Sequence, residues 1–240
     1  MKTLRVVTYN IHKCRGLDQR IRPARIVEVL KELDADLIAL QEVVSHRGHK
    51  SNDQARIIAD GLELQYAFGE TRRMKRGRYG NAILSRFPVS VSQNYDISAP
   101  GREPRGCLRA DIQVGPSLLH IFNVHLGTAY FERRHQGRRL FNERIINHSE
   151  LTGTRIILGD FNEWVGGLTS DLLRSHLESA DIRKHLGRRR TYPGVMPFLH
   201  LDHIYFDPAL KLHQMKLHRT KLSLIASDHL PLVADFHTAA

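Results

Sequence analysis

Cysteine is nearly absent from this sequence: two occur in 240 residues, Cys14 and Cys107, far apart in the chain. That leaves no disulfide framework and no thiolate-based zinc pattern to read. Tryptophan occurs once and aromatic residues make up only 7%. No apolar run approaches the roughly 18 residues that a membrane-spanning helix needs, and no apolar or aromatic insertion stands out for docking on a bilayer. The opening "MKTLRVVTYN" carries charge but lacks the apolar core of a secretory signal, so a soluble, cytoplasmic protein is expected. Repeats, low-complexity tracts and long linkers are missing too, and residues 1–240 are read as one domain. Acidic side chains are in deficit, 25 against 36 Lys plus Arg.

That deficit gives a formal charge of +11. Such a balance favours polyanionic partners: nucleic acid, anionic lipid surfaces or phosphorylated metabolites. Nothing in the composition points to a protein partner. Hydrophobic residues are 41% of the chain, enough for a sizeable core.

Short apolar runs alternate with longer amphipathic ones. "LRVVTYNIH" (4–12) and "DLIALQEV" (36–43) read as strands flanking a helix over 23–33, whose Pro23 suits a first turn. A second helix is predicted over 52–62. "ETRRMKRGRYG" (70–80) reads as a basic loop. Two strands broken at Pro88 follow, then a hairpin over 107–114 and 118–126. A long polar helix is predicted over 130–150, with its arginines on a solvated face or on phosphate. "TRIILGDFN" is a strand, 168–177 a short helix and 187–197 a second basic loop; "LDHIYF" and "PLVADFH" close the chain as strands. The pattern implies an α/β architecture of mixed, largely antiparallel sheets with helices outside.

Polar residues recur where these apolar strands end. Asn10 and His12 follow "VVTY", Glu42 follows "LIALQ", and Asn123 and His125 interrupt "IFNVHL". Asp160 and Asn162 follow "IILG", Asp202 opens "LDHI", and Asp228 and His229 precede the last strand. Side chains at i and i+2 of an extended segment share a face, so Asp160 and Asn162 aim at one point if the strand continues. A turn is the alternative for that Gly-Asp-Phe-Asn stretch. Taken singly, a strand histidine or asparagine is a hydrogen-bonded core residue. Taken together, the set suits hydrolysis at phosphorus. Glu42 offers a hard oxygen to Mg²⁺ (or Mn²⁺). Asp160 and Asn162 can hold a water and a phosphoryl oxygen, and His229, oriented by an acid such as Asp202, can move a proton.

The motifs "TYNIH", "LQEV", "YGNAILSR", "NVHL", "GDFN", "LDHI" and "SDHLP" stand in an order that resembles the endonuclease/exonuclease/phosphatase superfamily. That group includes DNase I-like nucleases, bacterial sphingomyelinases and inositol polyphosphate 5-phosphatases, and the resemblance runs over residues 4–236. It implies a four-layer α/β sandwich, two mixed and mostly antiparallel sheets face to face with helices outside. It implies metal binding at Glu42, Asn10 and Asp228, and catalytic roles for Asp160, Asn162, Asp202, His229 and His125. Arg105 of "EPRG", His12 and Asn81 are its candidate phosphate contacts. For Arg105 a solvated loop arginine is the other reading, and for His12 a structural strand histidine. Abasic-site endonucleases carry an acid at the position of His12 and a tyrosine at that of His125, so the chain looks more like the small sphingomyelinase-like and uncharacterised bacterial phosphodiesterases. The expectation is a metal-dependent phosphodiesterase, with nucleic acid the favoured substrate and a phospholipid or small phosphoester the alternative. A non-catalytic nucleic-acid or membrane-surface binding module is the alternative of another class.

Overall fold

The computed structural model describes residues 3–46, 53–75, 77–141, 145–163, 167–179, 191–193 and 199–237. Among them are twelve strands and five α-helices. In chain order they are β1 (Thr3–Asn10), α1 (Pro23–Lys31), β2 (Leu37–Ser45), α2 (Gln54–Leu62), β3 (Gln65–Met74), β4 (Gly77–Ser85) and β5 (Val89–Asp96). Then come β6 (Gly106–Val114), β7 (Ser117–His125), α3 (Tyr130–Leu140), β8 (Thr154–Asp160), α4 (Leu168–His176) and β9 (Glu178–Ser179). The chain ends with β10 (Asp202–Phe206), β11 (Lys211–Leu217), α5 (Lys221–Ala226) and β12 (Leu232–His237).

The strands form two six-stranded sheets, ordered β11-β12-β1-β2-β4-β3 and β5-β6-β7-β8-β10-β9. Each holds a parallel pair at its middle, β1 with β2 and β7 with β8, and its other pairings are antiparallel. The period of two along a strand sends neighbouring side chains to opposite faces. Val6, Leu37, Ile121 and Ile156 therefore enter a core between the sheets. Their neighbours Val7 and Ile38 pack outward beneath Ile26, Leu30 and Ile58 of α1 and α2. Phe122 and Ile157 pack outward beneath Leu140 and Leu173 of α3 and α4. Burial on both faces explains why the central strands read as unbroken apolar runs rather than as alternating ones. The four-layer sandwich is as expected.

Several local expectations are corrected. Residues 70–74 and 77–80 are not a loop but the ends of β3 and β4, paired antiparallel up to Met74↔Gly77. β3 is the outermost strand of its sheet, and charged side chains such as Arg72 and Arg73 suit an unpaired edge. The 130–150 helix ends at Leu140, after which Ile146 N–H donates to the Leu140 carbonyl and turns the chain back. Its polar face is not wholly solvated: Arg133 and Gln136 are buried, with Gln136 accepting from Gly127 N–H and Arg133 donating to the Gly127 and Thr128 carbonyls. The first strand stops at Asn10, and His12 lies in a short 3₁₀ turn. β11 and α5 were not foreseen. Most of the second basic loop, including 187–190, lies outside the described residues.

Candidate active site

The carboxyl ends of both parallel pairs meet at one edge of the sandwich. In the second sheet, three strands bring polar residues to one level: Asp160 of β8 is in register with His125 of β7 on one side and Asp202 of β10 on the other. In the first sheet Asn10 is in register with Gln41, one residue before Glu42. Asn10 bridges the sheets, its side-chain Nδ2 donating to Asp160 Oδ2 at 3.0 Å and facing Glu42 Oε1 at 3.4 Å. The Asn10 Oδ1 accepts from His12 N–H, and the Ser227 hydroxyl donates to the Asn10 carbonyl at 2.8 Å. That last bond pins the 227–229 turn, and with it His229, against the end of β1.

His229 sits between two acids. Its Nδ1 lies 2.9 Å from Asp202 Oδ2 and its Nε2 3.6 Å from Asp160 Oδ2. Asp202 is fully buried. Burial works against a charged imidazole, but Asp202, Asp160 and Asp228 outweigh it and raise the pKa of His229 to about 10. The ring is therefore an imidazolium at neutral pH. Burial raises Asp160 to about 6, opposed by the charge of His229 and the hydrogen bond from Asn10. His125 is the opposite case. Burial and the neighbouring Arg105 guanidinium depress it to about 3, so it is neutral, with Nε2 3.7 Å from Asp160 Oδ2. Arg105 is no loop arginine in water: it is 8% exposed, its Nη1 lies 3.2 Å from His125 Nδ1, and its Nη2 pairs with Glu103 at 3.0 Å.

Glu42 does not end its strand. It sits on a bulge inside β2, where the register to β4 shifts between Leu40 and Val43, and it takes a left-handed φ of 58°. A bulge re-aims a side chain that regular pleating would send elsewhere. Burial disfavours its charge, but the surrounding positive charge holds it down at about 2. That charge comes from His125, which is protonated at the acid pH where Glu42 titrates, and from Lys13, its ammonium 2.5 Å from Glu42 Oε2.

Asp160 and Asn162 do not share an extended segment. The strand ends at Asp160, and Asn162 turns left-handed at φ 49°. Asp160 Oδ1 accepts from Asn162 N–H at 2.9 Å, and the Asn162 amide donates to the Leu126 carbonyl at 2.9 Å. The stretch is thus a turn closed by its own carboxylate, and Asp160 Oδ2 is left for Asn10 and the histidines. Asp228 and His12 lie beside the cluster, more exposed, 3.7 Å from each other. Asn81 faces inward instead: its amide donates to the Gly106 and Asn123 carbonyls between the sheets.

Two neighbours were missed in the sequence. One is Lys13, three residues after Asn10, a spacing that carries no signal until the 3₁₀ turn is known. The other is Tyr192, whose ring centroid lies 4.8 Å from that of His229.

Residues 7–229 match the model of the "Endonuclease/Exonuclease/phosphatase family". The chain belongs to that family. It is 31% identical over 249 residues to the uncharacterised protein YbhP of Escherichia coli K12, spanning 98% of this chain and 96% of the other. The structure of an endonuclease/exonuclease/phosphatase from Beutenbergia cavernae superposes with a TM-score of 0.79 at 21% identity, covering 100% of this chain and 72% of that one. A functionally unknown conserved protein from Enterococcus faecalis superposes at 0.81 and 19% identity, covering 98% of this chain and all of the other. The endonuclease/exonuclease/phosphatase family is one of phosphoesterases and typically uses a divalent metal.

The donor set here fits such an ion. Among the described residues no three His, Cys, Asp or Glu side chains converge as a metal cage. Glu42 offers a carboxylate that already holds a cationic group, with Asn10 beside it and Asp228 at the edge of the cluster. Mg²⁺ is held in this way, by one or two carboxylates with waters completing its shell, whereas zinc seeks thiolate and imidazole.

Proposed function

We propose that this chain hydrolyses a phosphodiester by attack of water, with Asp160, His229 and Asp202 at the reacting centre and Glu42, Asn10 and Asp228 holding a magnesium (or manganese) ion. The observation that carries the reading is the pair of contacts from one imidazolium to two acids of adjacent strands, next to a carboxylate presented on a bulge. Asp202 holds the Nδ1–H of His229 and so fixes which nitrogen faces the reaction. His229 donates from Nε2 to a phosphoryl oxygen, whose charge grows as the new bond forms. Asp160, ionised above about pH 6, takes the proton of the attacking water. Arg105, whose buried Nε lacks a hydrogen-bond partner among the described residues, adds positive charge behind His125. Neutral His125 is placed to orient water or phosphate beside Asp160. The metal, when bound, supplies charge neutralisation at the phosphate.

Net charge supports a polyanionic substrate such as nucleic acid, yet the basic segment 70–78 spends much of its charge internally. Arg72 pairs with Glu103 at 2.8 Å, and Arg73 and Arg78 lie near Glu70 at 3.4 and 3.9 Å. A chain-bearing phosphoester is supported by a separate observation, the groove described below.

The reading is tested by turnover of bis-p-nitrophenyl phosphate with Mg²⁺ and with EDTA. Asp160→Asn and His229→Ala are each expected to lower kcat/KM by about 10²–10⁴ with the circular dichroism spectrum unchanged. Full activity in both purified variants would remove the assignment. Binding of substrates without turnover on any phosphoester would favour a non-catalytic module.

A further inference from the structure

We propose that a groove beside the Glu42 side of the site binds the aliphatic chain of a phosphoester amphiphile, and that the substrate is a phosphoester carrying such a chain. The proposal rests on the phosphoesterase reading and adds to it the class of substrate. The groove lies between the loop over 15–22, the start of α1, the end of β2, α2 and the β3 end of the β3–β4 hairpin, and has a volume of about 1100 Å³. That is slightly above the roughly 300–1,000 Å³ of pockets that bury a drug-sized ligand.

Its lining is of two kinds. Ile21, Val44, Ile57 and Met74 contribute an aliphatic floor, and Lys13, Arg15, Arg72, Arg73 and Lys75 a cationic border. Among the described residues no carboxylate lines it, and its one ring is the imidazole of His46, with no Phe, Tyr or Trp. Grooves that hold single-stranded nucleic acid combine cations with aromatic rings on which bases stack. Here the cations are combined with aliphatic side chains. Ile21 is 55% exposed and Met74 41%, on two separate segments that face each other across the groove. Sequence reading saw no apolar element for a lipid because these residues are single positions between arginines, brought together only by the fold.

The groove adjoins the site through one residue. Lys13 lines it, and the same ammonium pairs with Glu42 at 2.5 Å. Lys13 also lies 5.9 Å from the Tyr79 ring centroid, and Arg72, another lining residue, packs on that ring at 4.8 Å. An anionic head moving along the cationic border reaches Glu42 and Asp160, while its chain stays on the aliphatic floor. Anion at one end and alkyl chain at the other is the ligand that this charge and apolar pattern complements.

The test has a binding arm and a turnover arm, both on the whole chain and on the uncharged double variant Ile21→Gln/Met74→Gln. Both substitutions sit on exposed side chains, and an unchanged urea midpoint shows that the variant folds. In calorimetric titration below the micellar range, wild type is expected to bind dodecyl phosphate on the order of 100-fold more tightly than butyl phosphate, which corresponds to burial of three to four of the eight extra methylenes at roughly fourfold each. The double variant loses that preference while its butyl phosphate affinity stays the same. Equal affinities in wild type, or a preference that survives the substitutions, overturns the proposal. So does a single-stranded oligonucleotide whose binding depends on Ile21 and Met74 where that of dodecyl phosphate does not. In turnover with Mg²⁺, dodecyl p-nitrophenyl phosphate is expected to exceed the methyl ester in kcat/KM only in wild type. Chain-dependent binding with no hydrolysis of either ester supports the groove and overturns the phosphoesterase reading beneath it. Hydrolysis of both with no chain dependence supports that reading and overturns the groove.

Discussion

Gly159 shows how narrowly a single position sets the site. Its φ is 145°, and a Cβ built there would lie 1.9 Å from the Val124 carbonyl oxygen of the neighbouring strand. Any side chain forces β8 away from β7 at the level where His125 and Asp160 stand in register. Gly159→Ala is expected to lower stability by roughly 3 kcal/mol and to cost activity even in the fraction that folds. Urea unfolding beside a turnover assay checks both, and a neutral outcome would show that the strands can separate freely here. The residue identities of the site were legible in sequence: Asp160, Asp202 and His229 stand out because acids and imidazoles are anomalous at the ends of apolar strands. Their conformations were not. Glu42 and Asn162 adopt positive φ values of 58° and 49°, which no spacing rule reports, so the extended i, i+2 geometry expected for Asp160 and Asn162 gave way to a turn.

The bulge that presents Glu42 has its own support. Where pairing jumps from Leu40↔Ala82 to Val43↔Gly80, a carbonyl on each strand needs another donor. Asn123, on the opposite sheet, supplies both, donating to the Leu40 carbonyl at 2.9 Å and the Ala82 carbonyl at 2.8 Å. Its own Oδ1 accepts from Gln41 at 2.8 Å. Asn123→Leu, similar in size, strands these buried groups and is expected to destabilise by about 1–3 kcal/mol. Because Glu42 rides on the bulge, the variant is also expected to need more Mg²⁺ for half-maximal turnover. A loss of stability with an unchanged metal requirement would make Asn123 a packing residue only. Central strands were legible because both faces are buried and their apolar runs are unbroken. The strands that escaped, β3, β9 and β11, are sheet edges, where "TRRM" of β3 and "KLHQMKL" of β11 carry the polar side chains that edges need and loops also favour.

At the scale of the molecule, three cores stacked in line make the two sheets interdependent. The sandwich itself was legible only through the ordered motifs, since periodicity reports that a strand is buried on both faces but not what covers each face. An ion pair secures the outer seam of the first sheet. Arg5 and Asp235, in register on β1 and β12, form a two-pronged pair at 2.7 and 3.1 Å. Burial disfavours the Asp235 charge, but the hydrogen bonds from Arg5 and Gln214 outweigh it and hold its pKa below the usual 3.8. A carboxylate depressed in this way stabilises the fold fully above about pH 4, and its contribution fades as pH falls through the lower folded value. Wild type is therefore expected to exceed Asp235→Asn in urea midpoint at pH 7, with the gap closing toward pH 2. A gap that widens in acid would contradict the assignment.

That seam also orders events during protein synthesis. β1 leaves the ribosome long before β12, the neighbour it needs on one side. Until then β1 carries an open edge, and Asn10 lacks the Ser227 hydroxyl that braces its carbonyl. A chain released early by a nonsense codon beyond β10 would retain most of its apolar segments but neither a closed first sheet nor His229. Such a fragment would be inactive and would offer the apolar, normally central strand β1 to any other nascent chain, a target for chaperones and proteases that the completed sheet covers.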